Sequence, residues 1–142
     1  MTTSTREWRP VVGWGHWYEV SRCGRVRTVP RMVPAIAPNG ARVWRMLPSR
    51  LLRQSINRRG HRRVMLHAPA RRTHAYVHTL VAAAFIGPRP VGLLVCHRDD
   101  IKKHNHADNL YYGDRIENAQ DAKRNGSFGR RKRARGKRQV AA

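Results

Sequence analysis

The segment from Val95 to Asn118, VCHRDDIKKHNHADNLYYGDRIEN, constrains the fold more than any other part of the chain. A short apolar run ends at Cys96 and His97, a polar stretch occupies Arg98 to Asp108, and Leu110 to Tyr112 turns apolar and aromatic again. Asp114 then stands three residues before Glu117, a spacing that caps a helix N-terminus, and Asn125-Gly126 supplies a stop. The predicted order is strand, loop, strand, helix, with the helix running from about Arg115 into Lys123-Arg124. Three histidines and three asparagines fall inside this one hairpin and the helix start. The rest of the chain is mostly arginine and aliphatic residues.

Charge narrows the partner. Thirty Lys and Arg against eight Asp and Glu give a net +22 over 142 residues, which favours a polyanion and opposes compaction of a self-repelling chain. Nucleic acid fits first. No apolar run reaches the length of a membrane-spanning helix, and MTTSTREWRP lacks the apolar stretch of a secretion signal, so the chain reads as soluble and intracellular. Cys23 and Cys96 lie far apart with no paired C-x-x-C spacing, which indicates neither a disulfide framework nor a four-cysteine zinc site. The length suits one ordinary domain or two small modules sharing a core.

Ahead of that segment, EWRPVVGWGHWYEVSRCGRVRTVPR alternates β-branched and aromatic residues with polar ones and predicts short strands with tight turns at Gly13, Gly15 and Gly24. From Met32 to Asn57, Pro34, Pro38, Asn39-Gly40 and Pro48 mark turns around short strands such as ARVWRML, a connecting sheet edge. Strands follow at Arg62 to His67 and into Tyr76, then a helix from Val77 to Phe85 that Gly87-Pro88 stops. SFGRRKRARGKRQVAA carries seven Lys or Arg between Arg130 and Arg138 and almost nothing to bury, so it is expected to be disordered when free. No internal repeat is present.

Taken together, VHTLVAAAFIG, VCH, DNL and EN, in that order and spacing, resemble the HNH nuclease domain of phage and intron-encoded homing endonucleases. EWRPVVGWGHWYEVSRCGRVRTV is similar to the small module that precedes the nuclease domain in the phage enzymes, with its W-x-P-V and Y-E-V-S-x-x-G-x-V-R. The resemblance implies an α+β chain: a β-rich module and connector with DNA contacts over 1–57, a ββα-metal nuclease core over 58–126, and a basic tail over 127–142. It implies cleavage that leaves 5′-phosphate and 3′-hydroxyl ends.

Phosphodiester hydrolysis needs a base for water, a cation to absorb charge, and a fixed geometry between them. His97 matches the family's general base, and imidazole suits proton abstraction near neutral pH. Asn109 matches the central asparagine that pins the loop and orients the histidine through an amide hydrogen bond. Asn118 matches the metal ligand on the helix, a hard carbonyl oxygen for one Mg2+ or Mn2+. Cys96 departs from the pattern, because that position usually offers a harder donor and sulfur is a poor partner for Mg2+. Either Asp99 or Asp100 reaches in, or the metal leans on Asn118, phosphate and water, or the metal is softer. A zinc site from Cys96, His97, His104 and His106 is a further alternative, at odds with common finger spacings. His78 reads as a packing residue at a helix start. Trp14, Trp17 and Tyr18 read as core rather than stacking platforms.

DNA affinity is expected mainly from Lys and Arg on phosphates, with strong salt dependence. Arg25, Arg27 and Arg31 in the first module and Arg130, Arg131, Lys132 and Arg133 in the tail are the candidate contacts. The sequence therefore points to a metal-dependent endonuclease on double-stranded DNA, monomeric or homodimeric, with no organic cofactor and no membrane, acting in the cytoplasm of a bacterial host if phage-encoded. A noncatalytic DNA-binding protein with a decayed metal site is the alternative, and a basic RNA-associated protein explains the charge but not the spacing of His97, Asn109 and Asn118.

Overall fold

Residues 7–127 are described by the computed structural model; Arg130, Arg131, Lys132 and Arg133 lie outside the described residues. The first three strands, β1 (Trp8–Pro10), β2 (Tyr18–Ser21) and β3 (Val26–Thr28), form an antiparallel meander in that order. Tyr18 and Val20 alternate inward, and Trp14 packs edge-on to Tyr18 with ring centroids 6.0 Å apart. The turn between β2 and β3 closes through Ser21, whose Oγ accepts from Arg25 N–H at 2.9 Å. Gly24 stands in that turn at φ +88, a conformation that other residues adopt only under strain.

The connecting sheet edge expected between Met32 and Asn57 is instead a hairpin of its own. β4 (Arg31–Ile36) pairs only with β5 (Arg42–Leu47) around Asn39-Gly40. Pro34 has no N–H to donate, which confines β4 to an edge. Met32, Ile36, Trp44 and Met46 are left exposed on this hairpin.

A second three-stranded sheet, β6 (Ser55–Ile56), β7 (Arg62–Ala68) and β8 (Arg71–Tyr76), leads straight into α1 (Val77–Phe85). Then come β9 (Leu94–His97), β10 (Leu110–Gly113) and α2 (Arg115–Arg124), with β9 and β10 antiparallel and His97 opposite Leu110. Val77, Val81 and Ala82 put one face of α1 into the core. There they meet Val11, Trp14, Tyr18, Val20 and Val26 from the first meander, Val64 and Leu66 from β7, and Ala107 and Leu110 beside the ribbon. This one buried cluster spans both sequence modules and is what holds the ribbon against the rest. Tyr18 adds a polar tie, since its hydroxyl donates to His67 C=O at 3.0 Å and accepts from His67 N–H at 2.9 Å. Among the described residues, no helix is long and apolar enough to cross a membrane.

Candidate active site

His97 ends β9 with 7% of its surface exposed. Its Nε2 lies 2.9 Å from Asn105 Oδ1. A carbonyl oxygen can only accept, so the bond is donated by His97 Nε2–H, which leaves Nδ1 as the other ring nitrogen. The sequence assigned this orienting bond to Asn109, and the structure corrects that. Asn109 turns into the loop instead, where Nδ2 donates to Asp99 Oδ1 at 2.9 Å and to His104 C=O at 2.8 Å. Asn109 thereby closes the loop between β9 and β10. Burial alone would raise the Asp99 carboxyl, but bonds from Asn109, Ile101 N–H and His104 outweigh it and hold Asp99 below the usual range. Asp99 and His104 are thus bonded to each other and to the loop, not to His97.

Asn105 is itself buried, at 3% exposure, and is shaped by the first module. Arg22 C=O accepts from Ala107 N–H at 2.9 Å, and the Arg22 guanidinium pairs with Asp108 at 2.6 Å. A methyl group added to Gly24 would stand 3.1 Å from Asn105 Cβ and 3.3 Å from Val77 Cγ1. Gly24→Ala is therefore expected to destabilise the protein by about 1–2 kcal/mol from left-handed backbone alone, with crowding adding to it. A denaturant midpoint equal to that of the wild type would show that this turn is not tightly held.

Helix α2 places Asn118. The Asp114 carboxylate accepts from Ile116 and Glu117 N–H at 2.7 and 2.8 Å, and Glu117 answers on Asp114 N–H at 3.0 Å. That reciprocal cap fixes where the helix starts. Asn118, exposed one turn in, lines the same cleft of about 590 Å³ as His97. Asp100 lines it too and takes φ +56, uncommon for a residue other than glycine.

Cys96, a candidate ligand from the sequence, is 2% exposed, with Sγ 3.8 and 3.9 Å from the carbonyls of Leu94 and Gly113. Burial pushes the thiol up, so it stays protonated. A buried thiol is a poor ligand for a hard cation, although Cys96 lines the same cleft as His97 and Asn118. Among the described residues, no group of three His, Cys, Asp or Glu side chains is arranged to hold a metal ion.

Three more rings stand in the cleft wall. His78 is pulled down from 6.5 to about 3, by burial first and then by His97, His61 and Lys102, so it is neutral. It stacks on Tyr76 at 5.6 Å and lies 5.4 Å from His97. His61 was not anticipated, and no local signal marks it; only the fold brings it to the cleft. Of the arginine candidates, Arg25 is exposed, Arg27 pairs with Glu19 at 2.7 Å and covers Trp8 at 4.0 Å, and Arg31 covers Trp17 at 4.7 Å.

A histidine closing a two-stranded ribbon, with an asparagine on the following helix sharing its cleft, is the architecture of an HNH nuclease domain. Residues 75–120 match the HNH endonuclease family, and residues 7–67 match the NUMOD4 motif. A solved structure describing DNA binding and cleavage by the HNH homing endonuclease I-HmuI is similar, with a TM-score of 0.67 and 25% identity over 90% of this chain and 64% of that one. The chain thus carries a NUMOD4 motif followed by a segment similar to the HNH endonuclease domain. It spans 64% of the length of I-HmuI. No curated protein matches it.

Proposed function

We propose that the protein is a metal-dependent endonuclease that hydrolyses phosphodiester bonds in duplex DNA. The observation that carries this reading is the buried His97, its proton pinned to Nε2 by Asn105, in a cleft that also holds the oxygen donors of Asn118 and Asp100. His97 Nδ1 takes a proton from water, the water oxygen bonds to phosphorus, and the bond to the 3′ oxygen breaks. The products are a 5′-phosphate and a 3′-hydroxyl. Asn109 contributes by keeping the loop closed around Asp99.

Oxygen donors are the kind a hard cation takes, and Asn118 and Asp100 line the cleft beside His97. These two would hold the cation, with phosphate oxygens and water completing a shell of the kind Mg2+ often keeps. When bound, the cation offsets charge building on the phosphate and the leaving oxygen. Cys96 lines the same cleft but is left out of this donor set, because burial keeps its thiol protonated. The net +22 of the whole chain supplies the attraction for DNA phosphates. We assign phosphate contacts to Arg25 and to the tail cations Arg130, Arg131, Lys132 and Arg133. Arg27 and Arg31, stacked on tryptophans, contribute less. In this assignment residues 1–57 bind DNA, 58–126 cut it and 127–142 add affinity.

Incubating supercoiled plasmid with Mg2+ or Mn2+, with and without chelator, tests the reading. Nicking that needs the metal is expected. Asn118→Ala should raise the metal concentration for half-maximal cleavage by about tenfold or more, whereas Cys96→Ser should leave it unchanged. The buried thiol favours the alternative of a DNA-binding protein with a decayed site, and DNA binding without cleavage under either metal would establish it.

A further inference from the structure

The HNH match begins at residue 75, yet one wall of the His97 cleft comes from the turn before β7, inside the NUMOD4 match. That turn is held from several sides. Asn57 Oδ1 accepts from the N–H groups of Arg59 and His61, each at 2.9 Å. Gly60 takes φ +86, and Asn57 Nδ2 donates to Tyr76 Oη at 3.3 Å. From the loop after His97, Lys102 Nζ donates to Arg59 C=O at 2.8 Å. The turn is therefore fastened to the loop that follows His97, and it presents the His61 ring 6.4 Å from that of His97.

The separation has a chemical meaning. Two imidazoles that bond the same oxygen have ring centres about 6–8 Å apart, because each N···O distance is about 2.8 Å and each nitrogen lies roughly 1 Å from its ring centre. His61 and His97 fall within that range. His78, at 5.4 Å from His97, is too close for the same arrangement.

We propose that His61 is a second imidazole on the water that His97 activates, so that the NUMOD4 segment supplies a catalytic residue to the HNH site. This rests on His97 being the base. One water proton passes to His97 Nδ1 while His61 accepts the hydrogen bond from the other, which stays on the oxygen. A lone pair of that oxygen is thereby aimed at phosphorus, the new P–O bond forms as the bond to the 3′ oxygen breaks, and the leaving oxygen takes its proton from solvent. Holding the nucleophile by two bonds rather than one restricts its orientation, and errors of about 1 Å at this step cost on the order of a hundredfold in rate.

The test is single-turnover cleavage by the full chain at saturating DNA and Mg2+, with His61→Ala, His61→Gln, His97→Ala and the double variant His61→Ala/His97→Ala. His61→Ala is expected to slow cleavage by about tenfold to a hundredfold with DNA affinity unchanged. His61→Gln, whose amide oxygen accepts the same bond, should recover part of that loss. The double variant should be no slower than His97→Ala, because two groups acting on one water are not additive. Wild-type rates in both His61 variants, or a double variant slower than His97→Ala by the full His61→Ala factor, overturn the proposal. A wild-type rate in His97→Ala instead removes the base assignment beneath it. If His61→Ala melts below the wild type, His61→Gln against His61→Gln/His97→Ala gives the same comparison: additive losses overturn the proposal, and non-additive losses support it.

Discussion

Replacing His97 with alanine is expected to slow DNA cleavage by about a hundredfold to ten-thousandfold, the range general-base removal commonly costs. DNA affinity should hardly move, since a single buried ring contributes little to phosphate binding, which runs through Lys and Arg. The substitution also leaves Asn105 Oδ1 without its 2.9 Å partner, and an orphaned buried acceptor costs about 1–3 kcal/mol. Thermal melting therefore has to accompany the rate measurement, so that lost fold is not mistaken for lost chemistry. Plasmid nicking beside a gel-shift titration gives both quantities. A folded variant that cuts at the wild-type rate would remove His97 from the mechanism.

How much of this was legible in the sequence depends on how local each feature is. Helix α2 could be placed from Asp114 and Glu117 because a cap involves residues three apart, and the structure shows both halves of it. Helix α1 could be bounded at Val77 and Phe85 because its apolar run meets Gly87-Pro88. His97 and Asn118 were legible as motif positions, and the fold brings both to one cleft. The partner of His97 was not. Asn105 and Asn109 are both asparagines of one loop, and which of them meets the imidazole depends on the path of the backbone between them. Gly24 crowding Asn105 and His61 approaching His97 are contacts between distant parts of the chain, which no spacing rule encodes. The self-contained pairing of β4 and β5 is illegible for a similar reason. Their residues suit strands, but nothing in them says that the strands pair only with each other.

Changing Asn105 to leucine should lower the cleavage rate by about tenfold to a hundredfold, the usual loss when the group that orients a working histidine is removed. Leucine keeps the volume beside Gly24 and Val77 but offers no acceptor to Nε2–H. The imidazole then loses both its fixed rotation and its preference for the tautomer with the lone pair on Nδ1. Asn105→Asp should do much better than leucine, because a carboxylate oxygen in the same place still accepts that proton, and the Nδ2 it replaces has no partner in the native structure. The order wild type, then aspartate, then leucine is the specific signature of an orienting acceptor. Asn109→Ala does not follow it, since Asn109 bonds Asp99 and His104 and leaves the His97 tautomer untouched. Rates for these variants at saturating metal and DNA decide the matter: were Asn105→Leu to cleave as fast as the wild type while His97 remained essential, the imidazole would have to be oriented by another group, and its close approach to Asn105 would be packing alone.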